Sequence, residues 1–284
     1  MTKIAAQFNT VRAYCTNQAD LLDTLTRIQD LGFDGVEMEF ALLKNADGEI
    51  LAAHLEKIGL EVASIRSPFA RTEFGLEDMI AQAKQLHCIN VGIGTITTGH
   101  YNQGPAALER YFAQVQQVCR RFKEEGLRPL YSLRNHEFLR LNDGLWIYDK
   151  LRTRTETAGM FFETDLLGLT RAAVDPERIF AQLAGRMPVC RLTDQKLREN
   201  DMYLFFPQRE ECPLGEGVFA LPEWSEAAIR AGAEWFVVGQ NLCDRDPFQC
   251  LEISREVAAQ FTRAIQNGVN PAIASPSQKP QCFK

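Results

Sequence analysis

The sequence predicts a (β/α)8 barrel. Short apolar runs alternate with amphipathic runs of helical spacing, and the connections between them are short. Eight such units occupy about 250 residues, the usual size of this barrel.

The elements follow in order. Residues 3–8 (KIAAQF) read as strand one. Leu21, Leu22, Leu25, Ile28 and Leu31 then recur at helical spacing, and Gly32 stops that helix. Residues 34–40 (DGVEMEF) are strand two, 49–59 a helix closed by glycine, and 60–66 (LEVASIR) strand three. A helix over 76–87 leads to strand four at 89–95. The long helix 105–126 starts with proline and ends at Gly126, before strand five at 127–134. Strands six, seven and eight are 160–165, 187–194 and 234–240, followed by helices 175–185, 221–232 and 246–268. An open doubly wound sheet would show a glycine-rich phosphate loop after strand one, and FNTVRAYC is not one. The barrel is expected over 1–268 and a mobile, proline-rich tail over 269–284. The longer loop 195–220, with PLGEGVF, interrupts the rhythm.

Composition narrows the function classes. The net charge is −6 with no Lys/Arg cluster, so nucleic acid is not an expected partner. An acidic whole still leaves room for a local anion pocket. The eight cysteines include no CxxC and match no zinc ribbon, so free thiols in a reducing cytoplasm are expected. The N-terminus has no signal-peptide pattern, and no run of about 18 apolar residues marks a membrane span.

Chemistry in such a barrel sits at the C-terminal strand ends. The polar residues there are Gln7 and Asn9, Glu37 and Glu39, Arg66, the run Arg134-Asn135-His136, Glu163 and Asp165, Arg191 and Asp194, and Gln240 and Asn241. A polar side chain inside a barrel is costly unless it is paired or meets a ligand, so their convergence is the functional signal. Glu37 and Glu39 share one face by the strand period of two. His54 and His87 fall inside helices and read as structural. There is no HExxH or paired His/Cys spacing, no nucleophile elbow and no Walker loop.

From about residue 3 to 265 the chain resembles the xylose isomerase-like TIM-barrel superfamily of sugar (phosphate) isomerases and epimerases. The resemblance runs through IAAQFNTVR, LGFDGVEMEF, IGLEVASIRSPF, LYSLRNHEF, FFETDLLGLTRAAVDPERIF, GRMPVCRLTD and GEGVFALPEWSEAAIRAGAEWFVVGQN. It implies a divalent metal, often Mn2+ or Co2+, in the barrel mouth. Carried over by position, the metal's aspartate is Asp165, while the other three ligand positions fall at Arg134, Arg191 and Gly239, and a common strand-three histidine at Arg66. Arginine has no lone pair to give a cation. No metal cofactor is therefore expected.

Three readings stay open. In the first, Arg66, Arg134 and Arg191 clamp a small anionic carbohydrate derivative, a sugar acid or phosphate, helped by Asn135, His136, Asp194 and Gln240, with Glu39 and Asp165 as acid/base groups. In the second, the arginines pair with Glu37, Glu39 and Asp165, and the protein binds a ligand without turnover or pairs with a homologous barrel subunit or a copy of itself. The third is a metal-dependent isomerase or epimerase with displaced ligands.

Overall fold

The computed structural model describes residues 1–43, 46–69, 72, 75–198 and 208–269. Eight parallel strands close into a barrel: β1 (Lys3–Gln7), β2 (Gly35–Glu39), β3 (Glu61–Arg66), β4 (Asn90–Gly92), β5 (Arg128–Leu133), β6 (Phe161–Asp165), β7 (Val189–Leu192) and β10 (Trp235–Val238). β1 pairs with β2 on one side and with β10 on the other, which completes the ring.

Helix starts follow from local capping chemistry. Asp47, Asp175 and Asp246 each accept backbone N–H groups of the helices Gly48–Ile58, Pro176–Gln182 and Pro247–Gln266. Such a cap satisfies donors that have no partner within the helix. The two proline-led helices use a residue with no N–H to leave unpaired.

Alternation along the strands splits the core into two. Ile4, Val36, Met38, Val62, Ile65, Tyr131, Phe162, Cys190, Phe236 and Val238 face the helices and belong to the main apolar cluster. Ala5, Ala63, Leu130, Val189, Trp235 and Val237 form a second, smaller cluster inside the barrel. Above it, toward the C-terminal strand ends, the interior turns polar.

The structure departs from the expected boundaries at strand seven. β7 stops at Leu192, and Asp194–Arg198 (β8) pairs antiparallel with Gln208–Cys212 (β9). This hairpin starts at Asp194, the last residue read as strand seven, and otherwise lies in the stretch read as the loop 195–220. DQKLR and QREEC lack apolar alternation, so they carry no buried-strand signal. Short helices at Phe40–Leu43, Thr98–Asn102, Ile147–Arg154 and Leu166–Arg171 were also absent from the sequence pattern. The tail 270–284 and the stretch 199–207 lie outside the described residues. No described helix is long and apolar enough to cross a membrane.

Candidate functional site

Register puts the polar residues into one network. Gln7 lies opposite Glu37, Glu39 opposite Arg66, Ser132 opposite Glu163, and Asp165 opposite Arg191. Arg191 is the centre. It is 2% exposed, its Nη2 donates to Glu37 Oε1, and the same nitrogen lies 3.5 Å from Glu163 Oε1. Ser132 Oγ donates to Glu163 at 2.8 Å and Ser64 Oγ to Glu37 at 3.3 Å.

Arg66 sits one step nearer the mouth. Its Nη1 is 3.3 Å from Glu39 Oε1 and 3.6 Å from Glu37 Oε1, and its Nε is 3.7 Å from Glu163 Oε2. Arg134 pairs with Asp165 at 2.8 Å. Asp165 also accepts from the Leu167 N–H at 3.0 Å and the Thr193 hydroxyl at 3.4 Å, so its position is fixed. Arg134, with 28% of its side chain exposed, is the most accessible of the three guanidinium groups; Arg66 shows 15%.

Burial drives the Glu37 carboxyl up, to about 7, against the pull of Arg191, and the neighbouring Glu163 adds to the rise. Burial acts on Glu163 too, but Arg66, Arg191 and Arg134 together outweigh it and hold that carboxyl well below its ordinary value. The two carboxyls share a hydrogen bond, with the proton held on Glu37. Three guanidinium groups thus face the carboxyl groups of Glu37, Glu39, Glu163 and Asp165.

A second network supports the rim. Glu137 is completely buried and accepts from Tyr131 OH at 2.7 Å, from the Arg134 N–H at 2.9 Å, from the Thr95 hydroxyl, and from His136 Nε2 at 3.1 Å. The hydrogen bond that His136 donates to Glu137 raises the His136 pKa. At Glu137 burial opposes ionisation, but His136, Thr95 and Tyr131 together pull the carboxyl below its ordinary value.

The sequence-predicted residues divide accordingly. Glu39, Arg66, Arg134 and Asp165 meet at the mouth. His136 lies half-exposed on the rim, with Asn135 exposed beside it. Gln240 is buried, with its N–H on the Thr10 hydroxyl at 3.0 Å and its side-chain amide 3.4 Å from the Leu242 carbonyl. Two expected ligand contacts are corrected. Arg191 is sealed beneath the mouth, because Glu37 and Glu163 hold it inside the barrel. Asp194 does not face the mouth as a strand end. Its carboxylate accepts the N–H groups of Gln195, Gly215, Gly217 and Phe219 at 2.8–3.2 Å, which ties the segment after β9 to β8. Glu37 and Glu163 stood among the strand-end polar residues of the sequence without a ligand-binding role, and Glu137 was not singled out beforehand. The period of two, counted back from Glu39 and Asp165, marks the first two.

The donor set does not fit the divalent metal that the resemblance implies. Two of the inferred ligand positions hold guanidinium groups that already serve carboxylates. At the third, Gly239, a Cβ would lie 2.5 Å from Gln7 Cβ and would also meet the Thr10 hydroxyl, so no liganding side chain has room. Among the described residues, no group of three or more His, Cys, Asp or Glu is arranged to hold a metal ion.

No family model and no curated protein matches the chain. Solved structures do. The structure of L-ribulose 3-epimerase is 16% identical, with a TM-score of 0.73 over 99% of this chain and 100% of that one. A sugar phosphate isomerase/epimerase from Parabacteroides distasonis is 15% identical, with a TM-score of 0.71 over 89% and 96%. A xylose isomerase-like TIM barrel protein from Mycobacterium smegmatis, in complex with magnesium, is 16% identical, with a TM-score of 0.69 over 92% and 96%. The chain has the xylose isomerase-like TIM-barrel fold.

Proposed function

We propose that this protein recognises a small carbohydrate-like molecule at the C-terminal mouth of its barrel and does so without a resident metal. One observation carries the reading: Arg66, Arg134 and Arg191 are each bonded to or in contact with a carboxylate, and Arg191 is buried among them. The arrangement favours the second of the three readings. A guanidinium–carboxylate lattice stands at the positions where the resemblance puts a cation's ligands, and in it each of the three arginines meets at least one carboxylate. The fold supports a sugar-like ligand by analogy with its neighbours.

Glu39 and Arg134 are the groups that a ligand reaches first, since both are partly exposed. Glu39 accepts from sugar hydroxyls. Arg134 donates to a hydroxyl or shares its fork between Asp165 and a ligand carboxylate or phosphate. The anionic derivative is therefore bound through Arg134 and Arg66, with Arg191 fixing the carboxylates behind them.

The test is thermal unfolding in the presence of a chelator, with neutral sugars, sugar acids and sugar phosphates as separate arms. A ligand at 100 times its Kd adds about 2.7 kcal/mol, which a melt resolves. Stabilisation by at least one arm is expected for the wild type and is expected to be lost in Arg134→Ala and Glu39→Gln. Failure of every arm, or binding that appears only when Mn2+ or Co2+ is restored, overturns the reading.

A further inference from the structure

A pocket of about 400 Å³ opens between the start of the helix Pro105–Glu124 and the turn that leads into the helix Ile147–Arg154. The first helix lends it Pro105, Leu108 and Glu109, the turn Arg140, Leu141 and Asp143, and the second helix Lys150. It shares no residue with the network at the barrel mouth. Its size is that of a small-molecule site, and apolar walls with a few charged groups are the usual lining of one.

The walls are held by contacts of their own. Leu108 belongs to the main apolar core and Leu141 packs against that core. The turn is closed by its backbone: the Leu141 N–H donates to the Leu145 carbonyl at 2.8 Å, the Gly144 N–H to the Leu141 carbonyl at 2.9 Å, and Arg140 bridges antiparallel to Trp146. Asp149 accepts the Trp146 N–H at 3.0 Å where the second helix begins. Gln116 Nε2 donates to the Arg154 carbonyl at 2.6 Å, which ties the two helices together.

The charges are unevenly matched. Lys150 pairs with Asp143 at 2.7 Å, and the Leu145 N–H donates to the same carboxylate at 3.2 Å. Lys150 and that N–H hold the Asp143 carboxyl below its ordinary value. Glu109 accepts from Arg154. Arg140 differs. Its Nη1 donates to the Gly144 carbonyl at 2.8 Å, its guanidinium lies 5.4 Å from the centre of the Trp146 ring, and among the described residues no carboxylate pairs with it. A guanidinium has five N–H donors, so one carbonyl leaves most of them for another acceptor.

We propose that this pocket is a second binding site, for a small apolar carboxylate. The carboxylate meets the guanidinium of Arg140, and the apolar body covers Pro105, Leu108 and Leu141. The pairs Lys150–Asp143 and Arg154–Glu109 are balanced within themselves, so the pocket calls for one negative charge. A ligand with a second charge meets the carboxylates of Asp143 and Glu109.

The test is calorimetric titration of the full chain with phenylacetate, with benzyl alcohol, benzylamine and phenyl phosphate as separate arms. Phenylacetate is expected to saturate with a stoichiometry of one. The neutral and cationic analogues are expected to bind at least about tenfold more weakly, and Arg140→Gln to lose about tenfold in affinity for phenylacetate. Arg134→Ala, which removes a guanidinium from the mouth, is expected to bind phenylacetate as the wild type does. In the wild type, phenylacetate is also expected to shift the methyl resonances of Leu108 and Leu141, a readout that needs no variant. Absence of saturable binding, equal binding of benzyl alcohol, tighter binding of phenyl phosphate, or unmoved leucine methyls overturns the proposal. So does loss of binding in Arg134→Ala with Arg140→Gln unaffected, which would put the anion in the mouth.

Discussion

Arg191 and Glu37 show how one buried pair sets the character of the site. Arginine stays charged at any working pH, so a fully buried guanidinium has to find carboxylates. Arg191 does, and burial beside it raises the Glu37 carboxyl while the surrounding arginines lower Glu163. The Glu37 pKa is about 7 in the folded protein against an ordinary 4.5. Between those values the folded state binds a proton that the unfolded chain releases, so stability falls as pH rises from about 4.5 to about 7. Glu37→Gln keeps the acceptor for Arg191 and has no proton to lose. Urea unfolding across that window is expected to slope downward for the wild type and to flatten for the variant; equal slopes would remove Glu37 from the explanation. At Arg134 and Arg191 the resemblance led to the expectation of no metal ligand, because arginine cannot coordinate a cation. Which of them faces a ligand was not legible. Arg134 follows β5 and Arg191 lies within β7, and only the packing of Glu37 from β2 and Glu163 from the neighbouring β6 decides that Arg191 is sealed.

At the scale of elements, the hairpin β8–β9 is the main departure from the β/α rhythm. Strands that pack on two faces announce themselves by apolar runs, and the eight barrel strands did so to within a few residues. The hairpin is built from charged residues and is held by backbone pairing and by Asp194, so hydrophobic periodicity does not reveal it. Gly217 approaches Asp194 so closely that a Cβ there would strike its carboxylate and lie 2.6 Å from the Gln195 carbonyl. Asp194→Ala leaves four N–H groups without their acceptor, and a loss of about 3 kcal/mol is expected in chemical denaturation. Gly217→Ala is expected to act in the same direction through the same contact. A change within about 0.5 kcal/mol for both, the range of ordinary surface substitutions, would mean that the carboxylate does not fasten the hairpin.

At the scale of the molecule, the barrel interior is stacked: an apolar floor of Ala5, Ala63, Leu130, Val189, Trp235 and Val237, then a charged layer around Arg191, then the mouth with Glu39, Arg66, Arg134 and Asp165. The closed ring was readable from eight alternations. The charged layer was legible only as one of three open readings, with the arginines paired to Glu37, Glu39 and Asp165; that Glu163 joins it and Arg191 sits at its centre depends on the lateral register of β2, β6 and β7. If that layer is self-sufficient, stripping divalent ions changes nothing. Melts with and without EDTA are expected to agree within about 0.5 °C, against the 2–4 °C that about 1 kcal/mol moves a chain of this size. A drop of several degrees, recovered by Mn2+ or Co2+, would point to an ion that the lattice does not replace. The guanidinium of Arg191 enters with the polypeptide as the ribosome adds arginine to the chain. If the proposed metal-free reading holds, its supply is tied to translation rather than to ion uptake, and a cell starved of manganese or cobalt is expected to assemble this centre complete.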